Sequence, residues 1–546
     1  MKILLVSIDS KYIHTNMAVR YLKANLDFDS EILEFTIKDS FEKIEKTIMD
    51  QVPNIVAFSV YLWNVQLIIK LIESIKSKSE TIIIIGGPEV SYEPEYYMLN
   101  SKTDFLIAGE GEIAFRELIN AIINRSSFHS IKGLSYREND MNICKKPTMI
   151  ENLNSLKDPY LLENNSSILS SKIQYVETSR GCPYQCSYCL ASLENKVRFF
   201  DLNRVKSDIL HLMKSGAKTY KFLDRTFNYK IDHSLELFRF LIENHQEGTQ
   251  FQFEITGDLL PIELINLLNA EAPKGLFRFE IGIQSTNEIT NLSVNRHQNN
   301  DKLFNNIRLI QSAGIIDLHL DLIAGLPMEN LSRFEQTFNE VFDLRAKELQ
   351  LGFLKMLRGT KIRDQALKYD YKYDEFPPYE IFSSQSLSKE DIKEIHLVES
   401  SLDLYWNKGY MPSTMLYIME AQNSPFQFFN QIGHYLQSIS FDFHRFQLSD
   451  LFFNLNEYIQ KSNFKNHRDI FDLLKYEYLM RSNIKPKIWW DKTNEKIFRN
   501  AILKDFHYLH PELKIDDLYK YSVVTKYHSG YLIVVYFPGG KSVFEY

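Results

Sequence analysis

Three of the chain's four cysteines fall within eight residues, in the segment Thr178-Ser179-Arg180-Gly181-Cys182-Pro183-Tyr184-Gln185-Cys186-Ser187-Tyr188-Cys189. The spacing is C-x3-C-x2-C, with Gly181 and Pro183 suited to a tight loop. Three thiolates on one loop can bind three irons of a cubane and leave the fourth iron without a protein ligand. An open metal position is where a substrate or cofactor binds. Zinc usually takes a fourth Cys or His close by, and the loop offers neither. Cys144 stands apart and is expected to remain outside the site. A second set of candidates comprises polar residues within or ending apolar runs: Asp224, Glu254, Glu280, Gln284, His319 and Asp321. A charge inside an apolar strand needs a partner or a ligand. Structural salt bridging is the plain alternative for each.

The elements that must hold these residues follow from periodicity. Strand-like runs at 2–8, 31–37, 55–60, 81–85 and 104–108 alternate with helical spacing at 17–26, 65–77 and 114–123. Such alternation predicts a parallel sheet covered on both faces, here in a flavodoxin-like order. Residues 126–170 read as a polar connector with a hairpin-like stretch around 133–145. A second series of strand candidates lies at 173–179, 219–223, 251–255, 277–283, 318–324 and 348–353, with helix patterns between them, such as 205–214 and 303–313. Six strand–helix units predict a partial (βα)6 barrel, whose sites sit at the C-terminal strand ends. A period of two puts Glu280, Gly282 and Gln284 on one strand face, and His319, Asp321 and Ile323 on one face of the next. After Pro377-Pro378 the pattern becomes helical and aromatic-rich, starting at a capping box of Ser388 and Asp391. Three short strands are expected near 520–527, 531–537 and 541–545. The expected organisation is therefore α/β: a sheet domain at 1–125, a linker at 126–170, a barrel at 171–360 and a mainly helical domain at 361–546.

The cysteine spacing, with the aromatic Tyr188 before the last cysteine, resembles the signature of the radical S-adenosylmethionine (SAM) superfamily. The resemblance implies a 4Fe–4S cluster on Cys182, Cys186 and Cys189, with Tyr188 beside it. It implies SAM bound to the open iron and split by one electron into methionine and a 5′-deoxyadenosyl radical. The cofactors would carry the hard chemistry. Phe279-Glu280-Ile281-Gly282-Ile283-Gln284-Ser285, Asn295-Arg296-His297-Gln298 and Asp321-Leu322-Ile323-Ala324-Gly325-Leu326-Pro327 resemble barrel motifs of the branch that includes oxygen-independent coproporphyrinogen dehydrogenase. By that resemblance Gln284 and Asp321 lie near the SAM ribose and Arg296 at its carboxylate, where a planar fork of donors suits the group. Glu254 is a further SAM candidate.

In an open α/β sheet, ligands bind beyond the carboxyl ends of the strands. The turns there are 10–16, 59–64, Gly86-Gly87-Pro88-Glu89 and Gly109-Glu110-Gly111-Glu112. Paired glycines let a ligand approach the backbone. Lys11-Tyr12-Ile13-His14-Thr15-Asn16 and Gly86-Gly87-Pro88-Glu89-Val90-Ser91 resemble motifs of a bacterial family that joins a cobalamin-binding domain, a radical SAM barrel and a C-terminal domain of unknown function. The resemblance covers nearly the whole chain. It implies that the nucleotide tail of cobalamin passes Ser59, Gly86 and Gly87. Methionine-synthase-like domains carry D-x-H-x-x-G after the first strand; here only the His remains, as His14. Without the Asp, and with no evident orienting partner for its ring, His14 is expected not to ligate cobalt.

Composition narrows the partners. The formal net charge is −7 and the pI near 6.1, which gives no basic footprint for nucleic acid. No apolar run approaches the ~20 residues of a membrane span. Asp9 cuts short the apolar start, so a buried strand fits better there than a signal peptide. Four cysteines make no disulfide framework, and the cytoplasm is the expected compartment. The expected function is cobalamin-dependent methyl transfer to an unknown substrate, with 4Fe–4S, SAM and cobalamin as cofactors and flavodoxin or ferredoxin as electron donor. Cobalamin-dependent rearrangement or cyclisation is the rival within the class. A cobalamin-binding sensor or scaffold with a vestigial barrel is the rival outside it. Methylthiotransferases resemble chains with three further N-terminal cysteines, which are absent here.

Overall fold

The computed structural model describes residues 1–162, 166–462, 464–490 and 495–546. Five parallel strands open the chain: β1 (Ile3–Asp9), β2 (Glu31–Thr36), β3 (Ile55–Ser59), β4 (Ile82–Gly86) and β5 (Phe105–Ile107). Their order is β2-β1-β3-β4-β5, the flavodoxin-like order. Every residue of β1 and β3 is buried, because helices cover both faces. Val6, Phe58 and Ile72 pack on one face; Leu5, Ala57 and Phe115 pack on the other. The hairpin-like stretch is not a mere connector. It forms β6 (Leu134–Glu138) and β7 (Met141–Ile143), which extend the same sheet antiparallel to β5. Pairing with Phe105–Ile107 buries Leu134 and Tyr136. One helix the sequence reading passed over, Phe41–Met49, is capped by Ser40 and buries Ile44 and Ile48, one turn apart on the core face.

The second sheet begins with β8 (Ile173–Val176). A two-residue ribbon follows, β9 (Ser179–Arg180) against β10 (Arg198–Phe199). Then come β11 (Thr219–Phe222), β12 (Gln250–Ile255), β13 (Phe277–Gln284) and β14 (Asp317–Ala324). Strands β8, β11, β12, β13 and β14 pair in parallel in that order. The sixth predicted strand is β15 (Glu348–Phe353). Alternation on β12 and β13 buries every second residue. The buried set includes Phe251, Phe253, Phe277 and Phe279. Phe238, on the helix Ile231–Asn244, packs edge-on against that face, its ring 5.0 Å from that of Phe253. The polar alternates, among them Glu254, Glu280 and Gln284, therefore share the opposite face.

The chain divides into two compact units, Met1–Phe334 with Gly352–Lys389, and Glu335–Leu351 with Glu390–Tyr546. Residues 361–389, assigned by sequence to the C-terminal domain, group with the first unit. The reason is hydrogen bonding: Tyr371 donates its hydroxyl to Gly325 O at 2.8 Å, and Met356 N donates to Tyr379 O at 2.9 Å. A small ribbon, β16 (Lys372–Tyr373) with β17 (Ile381–Ser383), lies in this segment. The second unit is mainly helical and closes with an antiparallel sheet of β18 (Ser522–Tyr527), β19 (Gly530–Phe537) and β20 (Gly540–Glu545). Leu503 and Phe506 pack with Ile533 and Val535 of this sheet in one buried cluster. Among the described residues no helix is long and apolar enough to cross a membrane.

Candidate functional site

The cysteine loop leaves β9 through Gly181, whose φ of +95° suits glycine. A Cβ there would lie 2.3 Å from Lys196 O, so a side chain is excluded as well. Backbone bonds pin the loop: Cys182 N donates to Glu194 O at 3.0 Å, and Ser187 N to Val294 O at 2.9 Å. From the end of β11, Asp224 accepts bonds from Thr178 N at 3.0 Å, Thr178 Oγ1 at 2.5 Å and Ser179 Oγ at 2.6 Å. Burial still outweighs those bonds and pushes the Asp224 carboxyl up to about 6. Cys182 and Cys186 are buried and Cys189 half-buried. Burial pushes the Cys182 and Cys189 thiols up. Three thiols on a pinned loop make a donor set that a cluster could use, since metal binding would draw off the protons that burial retains. Cys144 instead packs against the core of the first sheet.

The barrel's polar face brings several of the other candidates together. Arg296 reaches back to Gly282 O and to Gln298 Oε1 at 2.9 Å, and its Nη1 lies 3.4 Å from the Tyr188 hydroxyl. Gln284 sits at a bulge between β13 and β14 with φ of +68°, an uncommon backbone for a non-glycine residue. Its amide folds over Gly282, where a Cβ would come within 2.3 Å of Nε2. Its Oε1 is buried with no hydrogen-bond partner among the described residues, as expected of a group waiting for a donor. Arg278 Nη2 lies 2.8 Å from His319 Nδ1, and His319 Nε2 lies 2.9 Å from Asp321 Oδ1. Arginine only donates, so Nδ1 accepts and Nε2 carries the proton facing Asp321. Lys221 pairs with Glu280 at 2.9 Å. Burial pushes the Glu280 carboxyl up, but Lys221, His319 and Gln252 pull it below its usual value overall. Glu280, His319 and Asp321 lie close enough to share an ion, yet Lys221 and Arg278 already supply the positive charge. Structural pairing thus accounts for Glu280.

A cavity of about 820 Å³ lies within the first unit. Ser59, Gly86 and Gly87 line it from the first sheet; Gly181, Leu190 and Ala191 line it from the cysteine loop. Tyr188, Glu254, Gln284, Arg296 and Asp321 are not among its lining residues. Gly87 has φ of +124°, and a Cβ would meet Val60 O at 2.4 Å, so the turn after β4 requires glycine. Ser59 Oγ is 3.5 Å from Asn16 Nδ2, which donates to Asp9 at 3.1 Å. His14 lines the same cavity and does have an orienting partner: its Nδ1 is 2.7 Å from the Tyr175 hydroxyl of β8. Burial, with Lys11 and Lys221 near by, lowers the His14 pKa, so the ring is neutral at neutral pH. The sequence reading missed this partner because the two residues lie far apart in the chain. It also missed Arg180 and Arg225, two lining arginines.

Three family profiles match the chain. The B12 binding domain matches residues 3–119, the radical SAM superfamily residues 176–341, and a protein of unknown function (DUF4080) residues 367–525. Residues 176–341 are thus a radical SAM domain, and the chain is a radical SAM enzyme. It also carries a B12 binding domain and a C-terminal DUF4080 region, and its cofactors are a 4Fe–4S cluster, SAM and cobalamin. An uncharacterized methyltransferase, PH0819 of Pyrococcus horikoshii, is 26% identical over 62% of this chain and 75% of its own length. The cobalamin-dependent radical SAM methyltransferase TokK of Streptomyces tokunonensis is 24% identical over 54% of this chain. The match spans 47% of TokK, under half its length. Among solved structures, OxsB with aqua-cobalamin and SAM bound has a TM-score of 0.60 at 15% identity, over 94% of this chain and 81% of that one. TsrM from Kitasatospora setae, with cobalamin and a [4Fe-4S] cluster, has a TM-score of 0.57 at 16% identity, over 69% and 78%. At those identities the structural likeness shows the fold alone.

Proposed function

We propose that the chain transfers a methyl group from cobalamin to a substrate held in the cavity between the first sheet and the cysteine loop. The supporting observation is that one cavity is lined both by the Ser59, Gly86 and Gly87 turns and by Gly181, Leu190 and Ala191, which flank the three cysteines. Names of relatives such as PH0819 and TokK point the same way. Cys182, Cys186 and Cys189 would hold the cluster. Tyr188, Arg296, Gln284, Asp321 and Glu254 would face SAM. Ser59, Gly86 and Gly87 would leave room for the cobalamin tail. When bound, these groups supply the electron, the hydrogen-abstracting radical and the methyl donor. The residues contribute placement: Asp224 fixes the loop, Arg296 ties Tyr188 to β13, and His319 aims Asp321. A small electron-transfer protein, such as flavodoxin or ferredoxin, would deliver the electron. Anaerobic turnover of SAM tests the proposal in extracts that supply candidate substrates. Methyl transfer with cobalt remethylation yields both 5′-deoxyadenosine and S-adenosylhomocysteine. Rearrangement would yield 5′-deoxyadenosine without S-adenosylhomocysteine, and a sensor would yield neither.

A further inference from the structure

Among the described residues, one cation lining the cavity makes no side-chain hydrogen bond. Arg225 follows β11 at its C-terminal end, lines the cavity, and has a side chain 55% exposed. Its ion pair is with Glu254, from Nη1 to Oε1 at 3.7 Å, too long for a hydrogen bond. Arg180, the other guanidinium lining the cavity, is in the opposite state. It pairs with Glu112 at 2.7 Å, Glu177 at 2.9 Å and Glu110 at 3.7 Å, with a side chain only 11% exposed. The neighbouring residue Thr226 places its hydroxyl 3.8 Å from Cys182 Sγ, so Arg225 stands beside the cysteine loop. A guanidinium offers five donors in a rigid fork that matches the oxygens of a carboxylate or phosphate. A ligand that displaced water from Arg225 without supplying acceptors would leave those donors unpaired, at a cost.

We propose that Arg225 is an anion-binding residue, taking a carboxylate or phosphate group of the molecule that fills the cavity. The proposal rests on the reading of the cavity as the substrate chamber, and not on which group is transferred there. Two molecules can present such an anion: an acidic substrate, or SAM through its own carboxylate, in which case Arg225 rather than Arg296 holds that group. Glu254 holds the fork in place from β12 but is too distant to satisfy it.

Phenylglyoxal labelling of the reconstituted full-length holoprotein, read by peptide mass spectrometry, tests this without turnover. Arg225 is expected to react about tenfold faster than the ion-paired Arg180, and to be protected by an anionic ligand. Protection by SAM alone assigns the anion to SAM. Protection by succinate or inorganic phosphate with SAM already bound assigns it to a second, acidic ligand. Arg225→Gln should then weaken the protecting ligand by about tenfold or more, and Arg225→Lys by less, because lysine keeps charge without the fork. Labelling unaffected by all three probes overturns the proposal. So does an Arg225→Gln protein that binds them as the wild type does while the cluster's midpoint potential moves, since Arg225 would then serve only as a counterion. Failure of methyl transfer would appear separately, as missing S-adenosylhomocysteine, and would leave these labelling results unchanged.

Discussion

Individual side chains carry the sharpest expectations. Replacing Cys182, Cys186 and Cys189 together by Ala should abolish the roughly four irons and four sulfides bound after anaerobic reconstitution. Cys144→Ala should retain them, because that thiol packs in the first sheet's core; equal loss in both proteins would refute the assignment. Arg296→Ala and Asp321→Ala should each weaken SAM binding about tenfold or more while keeping iron content, since neither residue lies in the cysteine loop. Calorimetric titration with SAM reads this, and wild-type affinity in both variants would remove them from the site. For His14, electron paramagnetic resonance of bound cob(II)alamin is decisive. Ile173 N donates to Ile13 O at 2.7 Å, and the His14 ring contacts Tyr175, so the imidazole is turned toward β8. His14→Ala should leave the spectrum unchanged. Threefold nitrogen splitting that vanishes in the variant would mean that Tyr175 orients a cobalt ligand, as outer-shell partners do.

At the level of elements, the end of β11 fastens the start of the cysteine loop through one buried carboxyl. The Asp224 carboxyl at about 6 lies above its ordinary range near 4. A raised folded value favours the folded state while the group is protonated. That contribution is present below the ordinary value and is lost as pH rises through about 6. Melting of the cluster-free protein should therefore show a component falling between about pH 4 and 6 that Asp224→Asn removes. Parallel melting profiles for the two proteins would dismiss it. Periodicity had made most of these elements legible. Alternation located β12 and β13 and the face carrying Glu254, Glu280 and Gln284, and C-x3-C-x2-C located the loop. The Arg278–His319–Asp321 chain, Tyr175 beside His14, and the contrast between Arg180 and Arg225 were not legible. Each depends on side chains from separate strands or loops meeting in space, which one-dimensional spacing does not encode. Residues 133–145 looked like a free hairpin because nothing local shows that Leu134 and Tyr136 pair with β5.

For the whole molecule, the boundary read from sequence near residue 360 differs from the one the packing draws. Glu335–Leu351 belongs to the second unit and Gly352–Lys389 to the first. Phe338 packs on Phe426 and Phe429, and Phe342 on Phe429 and Trp406, at ring separations of 4.6–6.3 Å. Each such aromatic pair adds roughly 0.5–1.5 kcal/mol beyond its burial. A chain ending at Lys389 should thus expose Phe338 and Phe342 and aggregate, as size-exclusion chromatography would show. A monodisperse truncation with a normal melting curve would argue against this division. The crossing of the chain between units also sets an order of synthesis. As residues emerge from the ribosome, β1 to β14 can assemble early, but Phe338 and Phe342 must wait for Trp406, Phe426 and Phe429, much further along the chain. Until then Phe338 and Phe342 have only each other and Arg345 to pack on, and the nascent chain carries a sticky aromatic strip just when its cysteine loop would take up iron. Cluster insertion and chaperone protection should therefore compete for the same interval of translation.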